Sequence, residues 1–353
     1  MNKRPPRNGE IIEKTKYTLL VDGNALFKTS FFGAKSVYNS NNQHVGGILQ
    51  FITVLRMILE KDLYHRVYVF WDGNFSGKLR YDIYKDYKIG RGKDFINGTQ
   101  PIDQSELNQR IRVWEYLSEF YVRQLKNEVV EGDDFIAYYC KYKAKNEKIT
   151  IITNDTDFSQ LISNDIRIYF LHLKDFVDLT NFSSYFCYNQ SNSALIKILV
   201  GDTADSIKGI KGLGLKTLVT LFPELKERSV TIEEILDHAK QLIEFRVLEK
   251  LKPLKVLDNI VNRVTIGLQG TEIYSINKIL VDLTNPLMTE EAISDLKFLI
   301  NGTLVGTDRV IGRVSSYLKE DGINEIIGEF RLQEYLTPFK KLIVREENNY
   351  NNI

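Results

Sequence analysis

The chain has 353 residues, of which 43% are hydrophobic and 26% are charged, a composition typical of an ordinary globular protein with one or two domains. Its 47 basic and 46 acidic residues give a formal charge of +1, so the overall charge does not indicate a nucleic-acid partner. The N-terminal stretch has no apolar signal segment and no apolar run reaches membrane-spanning length, which predicts a cytoplasmic protein that does not bind membranes.

The first elements predict a strand, a helix and a strand. Residues 17–27 contain a short buried strand that ends at Asp22, and residues 65–73 contain a second strand that ends at Asp72. Apolar residues at helical spacing lie between the two strands. Because this order implies a parallel sheet, we expect Asp22 and Asp72 to leave the same edge of that sheet.

Residues 103 to about 126 predict one helix, with Asp103 or Ser105 as its N-cap. Its buried apolar stripe is expected to be Leu107, Ile111, Trp114, Leu117, Phe120 and Tyr121.

Further acids follow three more apolar elements. They begin a helix after residue 130, where the helix dipole favours negative charge, they leave a strand at 149–158, and they lie in a turn between predicted helices at 193–222. A further strand is predicted at 166–173, and the chain beyond 223 is expected to be mostly helical. The acids concerned are Glu131, Asp133, Asp134, Asp155, Asp157, Asp202 and Asp205.

Together with Asp22 and Asp72, these acids predict a metal site. The carboxyl ends of parallel strands form one crevice, and clustered carboxylates repel each other unless cations lie between them. The chain has only two cysteines, so any metal would be held by oxygen, which suits Mg²⁺ or Mn²⁺. Two such ions about 4 Å apart stabilise both the attacking and the leaving oxygen of a phosphodiester. A single Asp-x-Asp is more often a turn or a cap, but five acidic segments favour a site.

The segment 74–100 has a weak core signal and alternates basic residues with tyrosines. Cations pair with phosphates and aromatic rings stack on unpaired bases, so this mixture suits single-stranded nucleic acid, with a solvated surface loop as the alternative. Its position directly after Asp72 favours the first interpretation. The residues are Lys78, Arg80, Tyr81, Tyr84, Lys85, Tyr87, Lys88, Arg91 and Lys93.

The glycine-rich stretch 209–217 is not a Walker A motif. That motif requires a glycine directly before Lys-Thr, whereas Leu215 lies between Gly214 and Lys216. The stretch predicts a helical hairpin punctuated by glycines, and a simple packed hairpin is the interpretation that requires no ligand.

Five segments, VDGN, FWDG, EGDD, TNDTD and GDTADSIKGIKGLG, resemble in this order the motifs of the 5′-nuclease family. The family includes flap endonucleases, bacteriophage 5′–3′ exonucleases, phage ribonuclease H and the 5′-nuclease domain of bacterial DNA polymerase I. The resemblance covers roughly residues 17–225. In the first segment this chain has Asn24 where the family usually has Thr or Ser near its Asp-Gly.

The resemblance implies an α/β fold with a mainly parallel central sheet flanked by helices, a PIN-like core. It also implies a helical arch at about 74–100 and a helix-three-turn-helix at about 201–225. The expected division is a catalytic domain at 1–200 and a helical C-terminal region at 201–353.

The resemblance also implies roles for individual residues. The first metal would be held by Asp72, Glu131, Asp133 and Asp155, and the second by Asp157, Asp202 and Asp205 together with the fourth motif. Asp22 and Asp134 would act mostly through water. In the arch, Lys88 and Arg80 would contact the scissile phosphate, Arg91 would assist and Tyr87 would stack on a base. In the hairpin, which often holds K⁺ in this family, Gly209, Gly212 and Gly214 would form the turns, and Lys208, Lys211 and Lys216 would contact phosphates.

The implied function is that of a free-standing two-metal 5′ nuclease of the bacteriophage type, with exonuclease or flap endonuclease activity in DNA replication or repair. It would use Mg²⁺, with Mn²⁺ as a substitute, and it would also remove RNA primers. The implied partners of this monomer, in the host cytoplasm, are flap, 5′-overhang or nicked DNA, RNA–DNA hybrids and replication proteins. Two alternatives remain, a non-catalytic binder of branched DNA with the same fold and a PIN-like ribonuclease. The complete acid set argues against the first, and the glycine-rich hairpin against the second.

Overall fold

A computed structural model describes residues 16–91, 103–143, 147–264, 271–304 and 307–350. Its strands are β1 (Lys16–Asp22), β2 (Leu63–Asp72), β3 (Arg123–Asn127), β4 (Lys148–Thr153), β5 (Ile166–Phe170), β6 (Asp175–Val177), β7 (Gly201–Asp202) and β8 (Ile207–Lys208). The first helices are α1 (Gly23–Gly33), α2 (Gly46–Lys61), α3 (Lys78–Ile83), α4 (Gln104–Glu119), α5 (Gly132–Tyr142), α6 (Phe182–Tyr185), α7 (Ser193–Val200) and α8 (Leu215–Leu221). The remaining helices are α9 (Ile232–Leu248), α10 (Lys255–Val261), α11 (Thr271–Val281), α12 (Glu290–Asn301), α13 (Ile311–Glu320), α14 (Ile323–Ile327) and α15 (Leu332–Tyr350).

The central sheet has the order β3-β2-β1-β4-β5-β6 among the described residues. Its first five strands run parallel, and β6 pairs antiparallel with β5. The α/β fold with a mainly parallel sheet is thus confirmed. The strands predicted to end at Asp22 and Asp72 do so, β5 lies within its predicted range, and β4 begins one residue before its predicted range. Because β1, β2 and β4 are adjacent and parallel, their carboxyl ends lie at one edge of the sheet.

Both faces of the sheet are buried, as is usual for parallel strands. Successive residues of β1 enter different cores, with Leu19 and Val21 on one face and Leu20 on the other. The first face packs against α1, α2, α4 and the C-terminal helices α13 to α15, and the second against α5 and α12. The rings of Phe120 and Phe339 stack with centroids 3.9 Å apart, so the C-terminal helices share a core with the sheet. The predicted domain boundary at residue 200 stays a prediction.

The helix predicted at 103–126 is shorter than expected and rotated. Asp103 is its N-cap, as predicted, and accepts hydrogen bonds from the backbone amides of Ser105 and Glu106. The helix ends at Glu119, however, and residues 123–127 form the edge strand β3. Its buried face holds Gln109, Val113, Tyr116 and Leu117, whereas Leu107, Ile111 and Trp114 are exposed. Val113 and Ile111 differ by two residues, which is about 200° around a helix, so the first half of the predicted stripe points away from the core. Its second half is buried as predicted, with Leu117 and Phe120 fully buried and Tyr121 packed against the core.

The segment predicted as an arch is described only in part. It contains α3 and a short 3₁₀ turn at Ile89–Arg91. Residues 92–102, with Lys93 among them, lie outside the described residues. In the ranges that the structure covers, no helix combines the length and apolar character needed to cross a bilayer.

Candidate active site

The strand ends place three acids side by side. Asp22 ends β1 and accepts hydrogen bonds from the amide of Ala25 at 2.9 Å and from the hydroxyl of Thr153 at 2.9 Å. Asp72 ends β2 and accepts from the amide of Gly132 at 2.8 Å. After β4, Asp155 accepts from the amide of Asp157 at 2.8 Å. These bonds fix the orientation of the three carboxylates at the strand ends.

The acids of α5 and of the turn after β4 complete the cluster. Burial and the charges of Asp22 and Asp155 raise the pKa of Asp133 well above its ordinary value. Burial, together with the charges of the neighbouring acids, raises the pKa of Asp22 to about 7 and that of Asp157 to about 7. The predicted gathering of acids from separate segments therefore occurs. Without cations, the cluster retains protons near neutral pH.

Two lysines lie among these carboxylates. The ammonium group of Lys88 donates a short hydrogen bond to Glu131. Nζ of Lys197 lies 2.5 Å from Oδ1 of Asp157 and 2.8 Å from Oδ2 of Asp202. Burial acts to raise the pKa of Asp202, but the hydrogen bond and charge of Lys197 outweigh it and lower this pKa overall. Protein cations thus partly neutralise the cluster.

Positions 88 and 91 are tied to the acidic turn after α7. Lys88 has a φ of 55°, and its backbone amide donates to the carbonyl oxygen of Asp205 at 2.8 Å. Arg91 lies 2.5 Å from Oδ1 of Asp205 and donates to the carbonyl oxygen of Ala204 at 2.9 Å. The predicted phosphate-contacting residues Lys88 and Arg91 therefore lie beside the acids, although the structure brings no phosphate to them.

The cluster fits hard divalent cations. Within the described ranges, no three of its groups surround one point closely enough to form a ready coordination shell. The donors are all carboxylate oxygens, the ligands that Mg²⁺ and Mn²⁺ prefer. Burial and the charges of neighbouring acids raise the pKa values of Asp22 and Asp133, and a bound cation would offset both effects. The role of the clustered acids as metal ligands stays a prediction. These acids are Asp22, Asp72, Glu131, Asp133, Asp155, Asp157, Asp202 and Asp205.

Two expected roles are corrected by burial. Arg80 is 4% exposed, and its guanidinium binds Asp134 through two nitrogens, at 2.5 and 2.9 Å. It also donates to Glu131 at 2.7 Å and to the carbonyl oxygen of Leu280 at 2.8 Å. All three of its nitrogens are thus engaged, which leaves none for the scissile phosphate. Asp134 is likewise held by Arg80 and by the amide of Leu287, and its expected action through water stays a prediction.

Tyr87 is the second correction. Its side chain is 3% exposed and packs with Ile207, Leu280 and Val281 in a small apolar cluster. Its hydroxyl donates to Glu131 at 2.9 Å. The ring therefore offers no face to a nucleobase, and the predicted stacking does not occur. The structure instead gives Tyr87 the role of orienting Glu131.

The glycine-rich hairpin joins α7 to α8 through the β7–β8 pair. A Cβ at Gly209 would lie 2.0 Å from the carbonyl oxygen of Val200, so this glycine permits close backbone packing rather than contact with a ligand. Gly212 has a φ of 80°, and a Cβ at Gly212 or Gly214 would meet nothing within 4 Å. Lys211 and Lys216 are exposed on this turn, whereas Lys208 pairs with Asp86 at 3.3 Å.

Two functional candidates were missed by sequence reasoning. Lys197 lies in the last turn of α7, where an isolated lysine carries no motif, and only the fold brings it to Asp157. Arg110 of α4 donates to Asn24 at 2.8 Å and to the carbonyl oxygen of Asp72 at 3.1 Å. Asn24 stands where the family usually has Thr or Ser, a difference that was visible in the sequence. Its side chain is the acceptor of the first of these two bonds.

Comparisons with known proteins agree with this arrangement of the sheet and its acids. Residues 17–186 match a family described as the 5′–3′ exonuclease N-terminal, resolvase-like domain. This match supports the resemblance of residues 17–186 to the 5′-nuclease family. The matched range includes β1 without Lys16, the strands β2 to β6 and the acids from Asp22 to Asp157. Four of the five motifs quoted above lie within it, whereas the motif that contains Asp202 and Asp205 follows it.

The relatives of this chain differ in length. The 5′–3′ exonuclease of Bacillus subtilis is 28% identical over 233 residues, which is 64% of this chain and 74% of that protein. The thermostable DNA polymerase I of Thermus thermophilus is 28% identical over 245 residues, or 69% of this chain. The chain spans only 28% of the length of that polymerase. Among solved structures, the bacteriophage T5 flap endonuclease, in complex with DNA and metal ions, has a TM-score of 0.57 at 18% identity, covering 86% of this chain and 98% of that chain.

Proposed function

We propose that this chain is a structure-specific 5′ nuclease that hydrolyses phosphodiester bonds with the help of two divalent metal ions. The observation that carries the proposal is the meeting of carboxylates from five separate segments at one edge of the sheet, in a chain that resembles the 5′-nuclease family. So many acids in one crevice destabilise the fold unless cations neutralise them. Phosphodiester hydrolysis requires a site that concentrates divalent cations beside the scissile phosphate.

The proposed roles of the individual residues follow from their positions in the motifs and in the cluster. Asp72, Glu131, Asp133 and Asp155 would hold one ion, and Asp157, Asp202 and Asp205 the other. When bound, such ions supply a Lewis acid beside the scissile phosphate and favour attack by water. Lys88 and Arg91 would release their present carboxylate partners and stabilise charge on the phosphoryl oxygens. Lys211 and Lys216 would hold the duplex, and the exposed turn at Gly212 and Gly214 is where K⁺ would assist.

The proposed substrates are DNA flaps, 5′ overhangs and nicked duplexes. Support comes from the fold, which is shared with a bacteriophage T5 flap endonuclease crystallised with DNA and metal ions. We further propose Mg²⁺ as the working ion, action as a monomer in DNA replication or repair, RNA–DNA hybrids as additional substrates and a bacteriophage-type biological setting. These finer assignments rest on the motif resemblance.

A second candidate is a non-catalytic binder of branched DNA. The observation that favours it is the pairing of Lys88 with Glu131 and of Lys197 with Asp157, because these lysines neutralise part of the cluster without metal. A binder of this kind would keep the hairpin and the basic segment while leaving the carboxylates permanently paired.

The test is cleavage of a 5′-labelled flap duplex with Mg²⁺ or with chelator. The double variant Asp155→Asn, Asp157→Asn is expected to abolish metal-dependent cleavage while retaining binding. The control variant Asp237→Asn, Asp258→Asn removes two exposed acids from α9 and α10 and should cleave like the wild type. Tight flap binding by the wild type without cleavage in any divalent metal would instead establish the binder.

A further inference from the structure

A cleft of about 300 Å³ opens beside Asp72, on the side of the β3 edge of the sheet. It contains both tryptophans of the chain, Trp71 from β2 and Trp114 from α4. Its volume is at the lower end of the range for ligand pockets, which begins at about 300 Å³ and suits a single ring system. The remaining lining residues are Asn74, Leu107, Arg110, Ile111 and Lys126.

The apolar wall of this cleft is the half of the predicted α4 stripe that the structure leaves outside the core. Leu107 is 37%, Ile111 52% and Trp114 37% exposed. The ring of Trp114 lies over that of Trp71, with centroids 6.3 Å apart and planes at 46°. Trp71 is itself held in place, because it stacks on Phe51 and its indole nitrogen donates to Gln124 at 3.2 Å. Trp71 is buried and supports Trp114, so the partly exposed ring of Trp114 is the aromatic surface that is open to stacking.

The cleft is also joined to the metal site by Arg110. Its guanidinium lies 5.5 Å from the ring centroid of Trp71, and it bonds to Asn24 and to the carbonyl oxygen of Asp72. Lys126 adds a second positive charge at the rim, where it pairs with Glu128 at 2.9 Å on an exposed surface. Such exposed pairs are weak, so Lys126 can exchange this partner for a phosphate.

We propose that this cleft binds one unpaired nucleobase of the strand whose phosphodiester lies at the carboxylate cluster. The inference rests on the proposed function, which brings a nucleic-acid strand to Asp72. Proteins bind single-stranded nucleic acids with aromatic rings flanked by cationic side chains. The base stacks on the ring, and the phosphates pair with the cations. Because Asp72 is both a candidate metal ligand and a wall of the cleft, a base bound in the cleft would lie next to the proposed metal site.

Tryptophan fluorescence tests the inference without catalysis, because both tryptophans of the chain line the cleft. In chelator, a duplex with a single-stranded 5′ flap is expected to quench the emission, and the same duplex with an abasic flap should quench much less. Trp114→Phe should remove most of the base-dependent signal. Equal quenching by the natural and the abasic flap would overturn the proposal, as would a base-dependent signal that persists undiminished in Trp114→Phe.

Binding measurements with a labelled flap provide the second readout. Trp114→Ala is expected to weaken binding of the natural flap about five-fold or more, the lower limit for the loss of one base stack, and to leave binding of the abasic flap unchanged. Trp114→Phe should restore part of the affinity. The control variant Tyr185→Ala removes a ring of similar exposure, 38%, beside β6 at the opposite edge of the sheet. It should bind both flaps like the wild type.

Failure of this inference and failure of the proposed function give different results. If the wild type cleaves the flap in Mg²⁺ but shows no base-dependent quenching or affinity, the cleft does not bind bases and the nuclease assignment stands. If base-dependent quenching occurs without cleavage, the cleft inference stands and the catalytic proposal fails. An effect of Trp114→Ala that is equal on both flaps would indicate another occupant, such as a protein partner, and would also overturn the inference.

Discussion

One ammonium group joins two acids from different segments of the chain, because Nζ of Lys197 lies 2.5 Å from Asp157 and 2.8 Å from Asp202. Asp157 belongs to the turn after β4, whereas Asp202 follows α7. Both acids are candidate ligands of the second metal. A divalent cation and Lys197 therefore compete for the same carboxylate oxygens, and metal binding must displace the lysine or share its partners.

The first prediction concerns this competition. Lys197→Met keeps the length of the side chain but leaves Asp157 and Asp202 to repel each other in the absence of metal. We expect a lower Tm than the wild type in chelator and a larger increase in Tm on addition of Mg²⁺, measured by thermal unfolding. Lys240→Met is the control, because Lys240 pairs with Asp237 on the exposed side of α9. An Mg²⁺-induced increase equal to that of the wild type would show that Lys197 does not compete with metal.

The second prediction concerns pH. The pKa values of Asp22 and Asp157 are raised to about 7 by burial and neighbouring acids, from 3.8 for a free side chain. Between about pH 4 and about pH 7 the folded protein therefore binds protons that the unfolded chain has released, so the free energy of unfolding falls as pH rises. In chelator we expect a Tm that is several degrees lower at about pH 8 than at about pH 5. Mg²⁺ should reverse most of this loss at the higher pH.

Asp22→Asn separates this effect from other titrating groups. The variant cannot ionise at position 22, so its Tm in chelator should depend less on pH than that of the wild type, and Mg²⁺ should stabilise it less. An identical pH dependence in the two proteins would contradict the assigned origin of the effect.

The third prediction concerns the buried Arg80–Asp134 pair. Arg80→Met leaves the carboxylate of Asp134 buried without its cation, which is expected to cost about 3–5 kcal/mol in the free energy of unfolding. The double variant Arg80→Met, Asp134→Leu removes both charges and should recover part of this loss. Urea unfolding measures both effects. Arg228→Met, which breaks an exposed pair with Glu234, should change stability little. If Arg80→Met kept wild-type stability and lost only kcat, Arg80 would contact the phosphate after all.

The fourth prediction distinguishes the packing role of Gly209 from the binding role of Gly214. Gly209→Ala places a Cβ against the carbonyl oxygen of Val200 and should lower stability by more than the roughly 1 kcal/mol of a typical point substitution. Gly214 has a φ of −101° and open space at its Cβ, so Gly214→Ala should fold normally and weaken only duplex binding. Thermal unfolding and duplex titration measure the two effects. A normal Tm for Gly209→Ala would contradict the close packing.

The strands, the sheet and the position of the acids were predictable because their signals are local. A run of apolar residues that ends in an acid, as at Asp22 and Asp72, specifies a buried strand and its exit whatever the rest of the chain does. Parallel pairing then places the ends at one edge, because a strand–helix–strand unit allows little else. The family motifs lie at these same points, which is why they were recognisable in order.

The rotation of α4 and the burial of Arg80 and Tyr87 were not predictable, because distant segments decide them. The buried face of α4 is the one that meets the C-terminal helices, through Tyr116 bound to Asp321 at 2.7 Å and Phe120 stacked on Phe339. Those contacts span about two hundred residues, and the pattern of apolar residues within α4 carries no record of them. The sequence alone therefore determined the acidic cluster and the sheet that gathers it. Only tertiary packing decided which cations enter the cluster and which aromatic residues remain at the surface, because burial depends on the surfaces that other segments supply.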